Sequence, residues 1–390
     1  MASCGAGNEE IVFRDKFRNK CSKFLEDMCF KNTKECASHE LLDQIYDAVC
    51  SLRKLQSARV DMIRGCCAYA DFTCRHHTFE HKVKVAHFTI VATEIDNLFR
   101  SATMRSMPDG GARTKEDCEL FHLKLLNPEL YKKLHPTRGP LHPLFEEMIA
   151  ILLTDLNPFF PSQPRHHRTL VAATLQFIEA CQLEYEYSES GFEIQADTPH
   201  LPLFLRQKSG GSEVFVLFVL VGPHLVPENY ASEDGSSDRL FFYNKMYPML
   251  PELITVSDHL NDVLSFYKEY EEEYVGYVFT VAKAENITLF EVLDGLMNQM
   301  VEIRKNVMAT AERTNSLEVK RTVAQYIQGY ISWHLSWEKR YRLGEILNTV
   351  TFRVLKMEGM FPMALVARAR IQVDKFLFKA CGLTSPHSSL

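Results

Sequence analysis

Residues 253–274 read LITVSDHLNDVLSFYKEYEEEY, in which Asn261, Ser265 and Glu269 stand at i, i+4 and i+8. On an α-helix, at about 100° per residue, these three drift only about 80° while climbing about 12 Å, so their oxygen-bearing side chains form one ladder on one face. Lys268 falls on that face as well, and Leu260, Val263, Leu264 and Phe266 flank it, which predicts that part of the face is buried. Oxygen donors of this kind suit a hard cation such as Mg²⁺, which keeps waters and takes one or two carboxylates together with substrate phosphates. The lysine then supplies a point charge for the phosphate. A ladder of this kind standing alone would read as a polar, solvated helix face.

The helical period extends over most of the chain. From Ser38 to about Arg64 the apolar residues Leu41, Leu42, Ile45, Ala48, Val49, Leu52, Leu55, Val60 and Ile63 recur at three and four spacings. Further helices are expected over roughly 84–105, 115–134, 142–157, 166–188, 249–283, 288–313, 315–349 and 362–380. Punctuation falls between them at Pro108–Gly111, Pro136–Pro140, Pro158–Pro164, Ser209–Ser212 and Ser232–Ser237. Val214–Val221 resembles a strand locally and is read as a buried helix, because a short apolar run is not decided by periodicity. Thr288 with Glu291 three residues on forms a capping box, so the Asn286-Ile287-Thr288 sequon reads as helix-start chemistry rather than a glycan site. With no repeat, composition shift or linker, a single all-α domain is expected.

Composition narrows the function. The 390 residues are 46% hydrophobic and 24% charged, with Gly 17 and Pro 16. That is an ordinary globular chain with sparse turn punctuation. A net charge of -6 supplies no basic excess for a phosphate backbone, so nucleic-acid binding is not expected. Eleven cysteines, an odd number thinly spread, together with an N-terminus lacking an apolar stretch, predict a reduced, cytoplasmic protein. The longest tight apolar run, Val214–Val221, is far short of the roughly 20 residues of a membrane span. Cys66, Cys67, Cys74, His76, His77 and His81 cluster in sequence but match no zinc spacing, so they read as buried or scattered side chains. The chain contains no G-x-S-x-G, P-loop or G-x-G-x-x-G.

A second constellation lies near the C-terminal end. Tyr330, Trp333, Trp337, Arg340 and Tyr341 stand at i, i+3, i+7, i+10 and i+11, which on one helix makes a face grading from aromatic to basic. Aromatic faces stabilise a cation, and an arginine fork matches phosphate oxygens. By itself such a stripe reads as core packing with a snorkelling arginine; the Asn261 ladder turns the reading toward a site.

The segment Asn261–Glu269, NDVLSFYKE, resembles the metal motif of class I terpene cyclases, specifically the fungal trichodiene synthase family. The resemblance continues through Ile331–Leu335 into Glu338–Leu343, similar to that family's late basic motif, and back to Thr174–Cys181. It implies an all-α, single-domain helical bundle of the class I terpene synthase fold over 41–380, with a variable segment 1–40 and a tail 381–390. It further implies that Asn261, Ser265 and Glu269 bind Mg²⁺, that Lys268, Arg340 and Tyr341 hold the substrate diphosphate, and that Arg340 and Tyr341 take part in catalysis. Phe88, Tyr330 and Trp333 would line an apolar pocket. The implied activity is Mg²⁺-dependent ionisation and cyclisation of farnesyl diphosphate in secondary metabolism, by a homodimer.

Two positions depart from that pattern. The aspartate-rich motif on an earlier helix maps to Phe88–Asn97, where Thr93 holds the leading acid position and Glu94 and Asn97 remain as donors. Losing that carboxylate weakens a site for hard cations. The family's diphosphate-sensing arginine maps to Ala172, with Arg168 one turn earlier as the nearest substitute. Both departures strike ionisation. They leave room for two other readings: a cyclase homologue with altered chemistry, acting on a pre-formed terpenoid or an external nucleophile, and a non-catalytic isoprenoid-binding partner of an active cyclase.

Overall fold

The computed structural model describes residues 6–31, 39–53, 59–156, 164–191, 198–225, 240–272 and 276–347. Sixteen α-helices follow one another among these residues, with short π- and 3-10-helical turns between some of them and no strand. They are α1 (Ala6–Asp27), α2 (His39–Leu52), α3 (Val60–Thr73), α4 (Phe79–Leu98), α5 (Ser101–Ser106), α6 (Ala112–Leu126), α7 (Pro128–Leu134) and α8 (Pro143–Ala150). Next come α9 (Pro164–Ser190), α10 (Leu201–Ser209), α11 (Ser212–Leu220), α12 (Leu250–Glu272), α13 (Tyr277–Glu285), α14 (Leu289–Arg313), α15 (Leu317–Ser336) and α16 (Glu338–Tyr341). One core cluster runs through them, from Phe17 of α1 to Tyr341 of α16. The all-α, single-domain expectation holds.

The helix starts follow local chemistry. Thr78 accepts from the His81 N–H at the head of α4, and Asn127 accepts from the Leu130 N–H with Pro128 in the first turn of α7. Thr288 and Glu291 form the expected capping box at α14, both of its hydrogen bonds being present. Val214–Leu220 is helical, apolar all round and buried but for the half-buried Phe215, which is why its pattern carried no single face.

Several expected long helices are broken. The stretch 38–64 is two helices, with Arg53 and Arg59 outside both, and 115–134 divides at Pro128. The span 142–157 changes at Ile151 into a π-helical turn, and 249–283 is interrupted at Gly276, the N-cap of α13. The span 315–349 ends at Ser336, because Trp337 takes φ -90 and ψ 67, and α16 starts afresh. The helix expected at 362–380 and the tail 381–390 lie outside the described residues. Within the stretch set apart as 1–40, α1 lays Phe13 against Tyr270, ring centroids 3.6 Å apart, and Phe17 against Phe266 at 5.4 Å, so it packs on α12.

At the centre α3 packs against both α4 and α15. The approach to α15 is close: a Cβ on Gly329 would lie 2.1 Å from the Phe72 carbonyl oxygen, which is backbone and cannot swing aside. Gly329→Ala is therefore expected to lower stability by about 2–3 kcal/mol. Gly295→Ala, on an exposed stretch of α14 where nothing lies within 4 Å, is expected to raise it by up to about 1 kcal/mol. Urea unfolding of the two variants side by side checks the pair; equal effects would contradict the close approach.

Candidate active site

Helix α12 carries the acidic ladder, and its rotation is set from outside by α10. Arg206 Nε donates to Asp262 Oδ1 at 2.7 Å, and Nη2 donates to the Asp258 carbonyl at 2.8 Å and to Asn261 Oδ1 at 3.3 Å. Ser212 Oγ donates to Asp258 Oδ1 at 2.6 Å. Burial works against the charge on Arg206, yet Asp262 and Asp258 beside it raise its pKa above the ordinary guanidinium range. With the helix so held, Ser265 Oγ donates to Glu269 Oε1 at 2.5 Å, and the three ladder residues lie on one side, as their spacing predicts.

His334 of α15 fixes the other side of Asn261. Its Nδ1 lies 2.8 Å from the Tyr330 carbonyl oxygen, which only accepts, so Nδ1 carries the proton. Its Nε2 is then the lone-pair nitrogen and accepts from Asn261 Nδ2 at 3.1 Å. Burial lowers the His334 pKa to about 3, which keeps this ring neutral. The amide of Asn261 is thereby oriented, nitrogen toward His334 and oxygen toward Arg206.

An aromatic wall leads away from this point. Phe88 of α4 meets Phe215 at 6.1 Å, Phe215 meets Tyr69 at 5.1 Å, and Tyr69 meets Trp333 at 5.1 Å and Tyr330 at 6.0 Å. Thus Phe88, far in the chain from Tyr330 and Trp333, belongs with them to one buried aromatic cluster. The indole N–H of Trp333 donates to the Gly65 carbonyl at 2.8 Å, which holds its ring. Tyr341 closes the wall, 4.4 Å from His334 and 5.6 Å from Trp333. The Arg340 guanidinium lies 5.2 Å from the Trp337 ring and 5.8 Å from Tyr341. Burial opposes its charge, but Tyr341 and Asp96 of α4 together raise its pKa. The expected continuous stripe is therefore corrected: Arg340 and Tyr341 reach the site from α16, after the break at Trp337, and not along one helical face.

The α4 side is differently arranged. Glu94 is paired with Arg53, whose Nε also lies 3.6 Å from Glu147 Oε1, and Glu147 meets His87 Nε2 at 2.8 Å. Thr93 Oγ1 donates to the Thr89 carbonyl at 2.8 Å, and Asn97 Nδ2 points to Met62 Sδ at 3.8 Å. Arg168 is exposed; the guanidinium beside Asn261 is that of Arg206. Sequence reasoning missed Arg206, His334 and Arg53. The one available signal was that Asp258 and Asp262, acids one turn apart on a helix with apolar neighbours, call for a buried cation.

The donors of α12 fit Mg²⁺. An amide oxygen, a hydroxyl and a carboxylate are the hard set such an ion takes. Burial raises Glu269 to about 7, although the Ser265 hydroxyl, Lys268 and Arg206 act in the opposite direction.

A family model described as Trichodiene synthase (TRI5) matches residues 128–357. The trichodiene synthase of Stachybotrys chartarum is 28% identical over 201 residues, 50% of this chain and 48% of that one. Terpene synthase BipA of Cochliobolus sativus is 22% identical over 268 residues, 68% of this chain and 70% of its own. The match to the first of these spans about half of that relative's length. Among solved structures, linalool/nerolidol synthase from Streptomyces clavuligerus, in complex with 2-fluorogeranyl diphosphate, superposes with a TM-score of 0.50 at 15% identity, covering 78% of this chain and 99% of that chain. That likeness shows the fold, the class I terpene synthase bundle.

Glu269 sets a pH dependence in the metal-free chain. Its folded pKa, about 7, lies above the ordinary value of about 4.3, so between those values the folded state binds more protons and stability falls as pH rises. Thermal melts in EDTA from pH 4 to 8 are expected to show that decline, flattened in Glu269→Gln. Above pH 7, added Mg²⁺ is expected to raise the melting temperature of the unaltered chain and not that of the variant.

Proposed function

The chain belongs to the trichodiene synthase family, and from that premise we propose that it is a terpene cyclase acting on a prenyl diphosphate, farnesyl diphosphate foremost, with Mg²⁺ held by Asn261, Ser265 and Glu269. The observation that carries this reading is the Asn261–His334–Tyr341 contact, which ties the oxygen ladder to the aromatic wall and to Arg340. Bound Mg²⁺ supplies positive charge for the diphosphate oxygens. The chain's own groups do the rest. Arg340 and Tyr341, with Lys268 one residue before Glu269, hold the diphosphate and stabilise the negative charge it gains as the allylic carbon–oxygen bond breaks. Phe88, Tyr330 and Trp333 offer ring faces to the allylic cation left behind and keep water from it. Arg206 and His334 touch no substrate in this scheme; they position the Asn261 oxygen.

The protein is read as cytoplasmic. None of the eight cysteines among the described residues is paired, and no helix among those residues is long and apolar enough to cross a membrane. A homodimer completes the proposal and is checked by mass in solution.

Incubating purified protein with farnesyl diphosphate, with and without Mg²⁺, and assaying released diphosphate and extractable terpenes together tests the proposal. Metal-dependent release with a defined terpene is expected, and Asn261→Ala is expected to reduce the rate about 100-fold. Release that ignores both metal and variant would defeat it.

One observation favours altered chemistry as a second reading. The α4 motif lacks its leading acid at Thr93, and its remaining acid Glu94 is already paired with Arg53. Thr93→Asp separates the two. A rise in release with a shift toward ordinary hydrocarbon products would mean that ionisation is limited by this motif; an unchanged rate and product would mean that the α12 side suffices.

A further inference from the structure

Of the six cysteines and histidines clustered at 66–81, three converge in space. The ligand atoms of Cys74, His77 and His81, all buried, lie within 4.8 Å of one another. Cys74 closes α3, the turn 75–78 follows, and the Thr78 cap places His81 in the first turn of α4.

Both rings are held by carbonyls at the end of α11. His77 Nε2 lies 3.2 Å from the Val221 oxygen and His81 Nε2 lies 2.9 Å from the Phe218 oxygen. A carbonyl only accepts, so each Nε2 carries the proton and each Nδ1 is a lone-pair nitrogen. Metal-binding histidines are held in this way, one ring nitrogen donating to a carbonyl and the other left for the ion. His77 Nδ1 is buried without a hydrogen-bond partner. The ring of His224, 4.8 Å from that of His77 and perpendicular to it, likewise buries Nε2 without a partner. Unpartnered buried nitrogens are costly in a metal-free cluster.

We propose that Cys74, His77 and His81 form a zinc site with water as the fourth ligand, which braces the α3–α4 turn against the end of α11. One thiolate and neutral imidazoles are the donors a borderline-soft ion takes, unlike the oxygen set of α12. Burial already keeps the histidines neutral, with His77 at about 2 and His81 at about 4. The same burial raises the Cys74 thiol to about 12, so zinc binding would release that proton to solvent. Tetrahedral ligation at usual bond lengths sets donors about 3.5 Å apart, so the cluster closes by about 1 Å on binding. Three of the four tetrahedral positions are taken by protein and the fourth is left to water.

The chain, prepared without a metal-binding tag, is exposed to excess zinc, dialysed and measured for metal content; a second sample takes Co²⁺. One zinc per chain is expected, with a thiolate-to-cobalt charge-transfer band and the visible bands of tetrahedral cobalt. Cys74→Ser is expected to lose both the zinc and the charge-transfer band. Cobalt seated on the α12 oxygens gives no such band and persists in that variant, so failure here leaves the proposed activity standing, and the reverse. Less than a tenth of an equivalent of zinc, or a cobalt spectrum without the thiolate band in the unaltered chain, would overturn the site. That spectrum decides even where the variant does not fold.

Discussion

Arg206 reaches from α10 into α12 and bonds to Asp262 Oδ1, to the Asp258 backbone and to Asn261 Oδ1. Two buried carboxylates one turn apart repel each other unless a cation stands between them, and removing a partner from such a buried network typically costs about 3–5 kcal/mol. The guanidinium therefore does more than dock one helix on another. It fixes how α12 is turned about its axis. Asp258, also held by Ser212 at the start of α11, faces α10 and α11, and Asn261, three residues on, is left facing α15. Ser265 and Glu269 follow at successive turns.

From α15 the constraint passes to the aromatic wall. The neutral ring of His334 accepts from Asn261 on one nitrogen and donates to its own helix through the other, so it orients the amide without adding charge. Because α15 stops at Ser336, Tyr341 comes back over His334 instead of continuing away along the axis. The break thus shortens the distance between the acidic ladder and Arg340. An unbroken helix would carry Arg340 about 9 Å beyond His334 along its axis.

What the sequence discloses follows from the range of the interactions concerned. The ladder on α12, the cap on α14 and the buried helix at Val214 depend on neighbours within a few turns, and the period or spacing of residues states them directly. Arg206 and Asp262 are separated by 56 positions, His334 and Asn261 by 73, and Arg53 and Glu94 by 41. No local pattern encodes such pairings. The break at Trp337 is hidden for another reason: no proline or glycine marks it, and the tryptophan leaves the helix because its ring packs where Gly65 has no side chain, within 2.5 Å of where a Cβ would stand. The Cys74, His77 and His81 cluster shows the converse. Its members were visible together in sequence, but only the carbonyls of Phe218 and Val221, over a hundred residues away, reveal how the rings are held.

The acids of α12 and α4 are not equivalent. On α12, desolvation holds the half-buried Glu269 at about 7, so a cation entering there displaces a proton rather than another residue's charge. On α4, Glu94 already has the buried Arg53, which leans on Glu147 as well. A cation that takes Glu94 must strip it from that guanidinium, leaving Arg53 with Glu147 alone in a buried setting, and the cost of uncovering a buried charge is several kcal/mol. With Thr93 offering only a hydroxyl, engaged with its own helix, little on α4 repays that cost. Under the proposed function, cation binding is therefore weighted to α12, where no guanidinium among the described residues pairs with Glu269 as Arg53 does with Glu94.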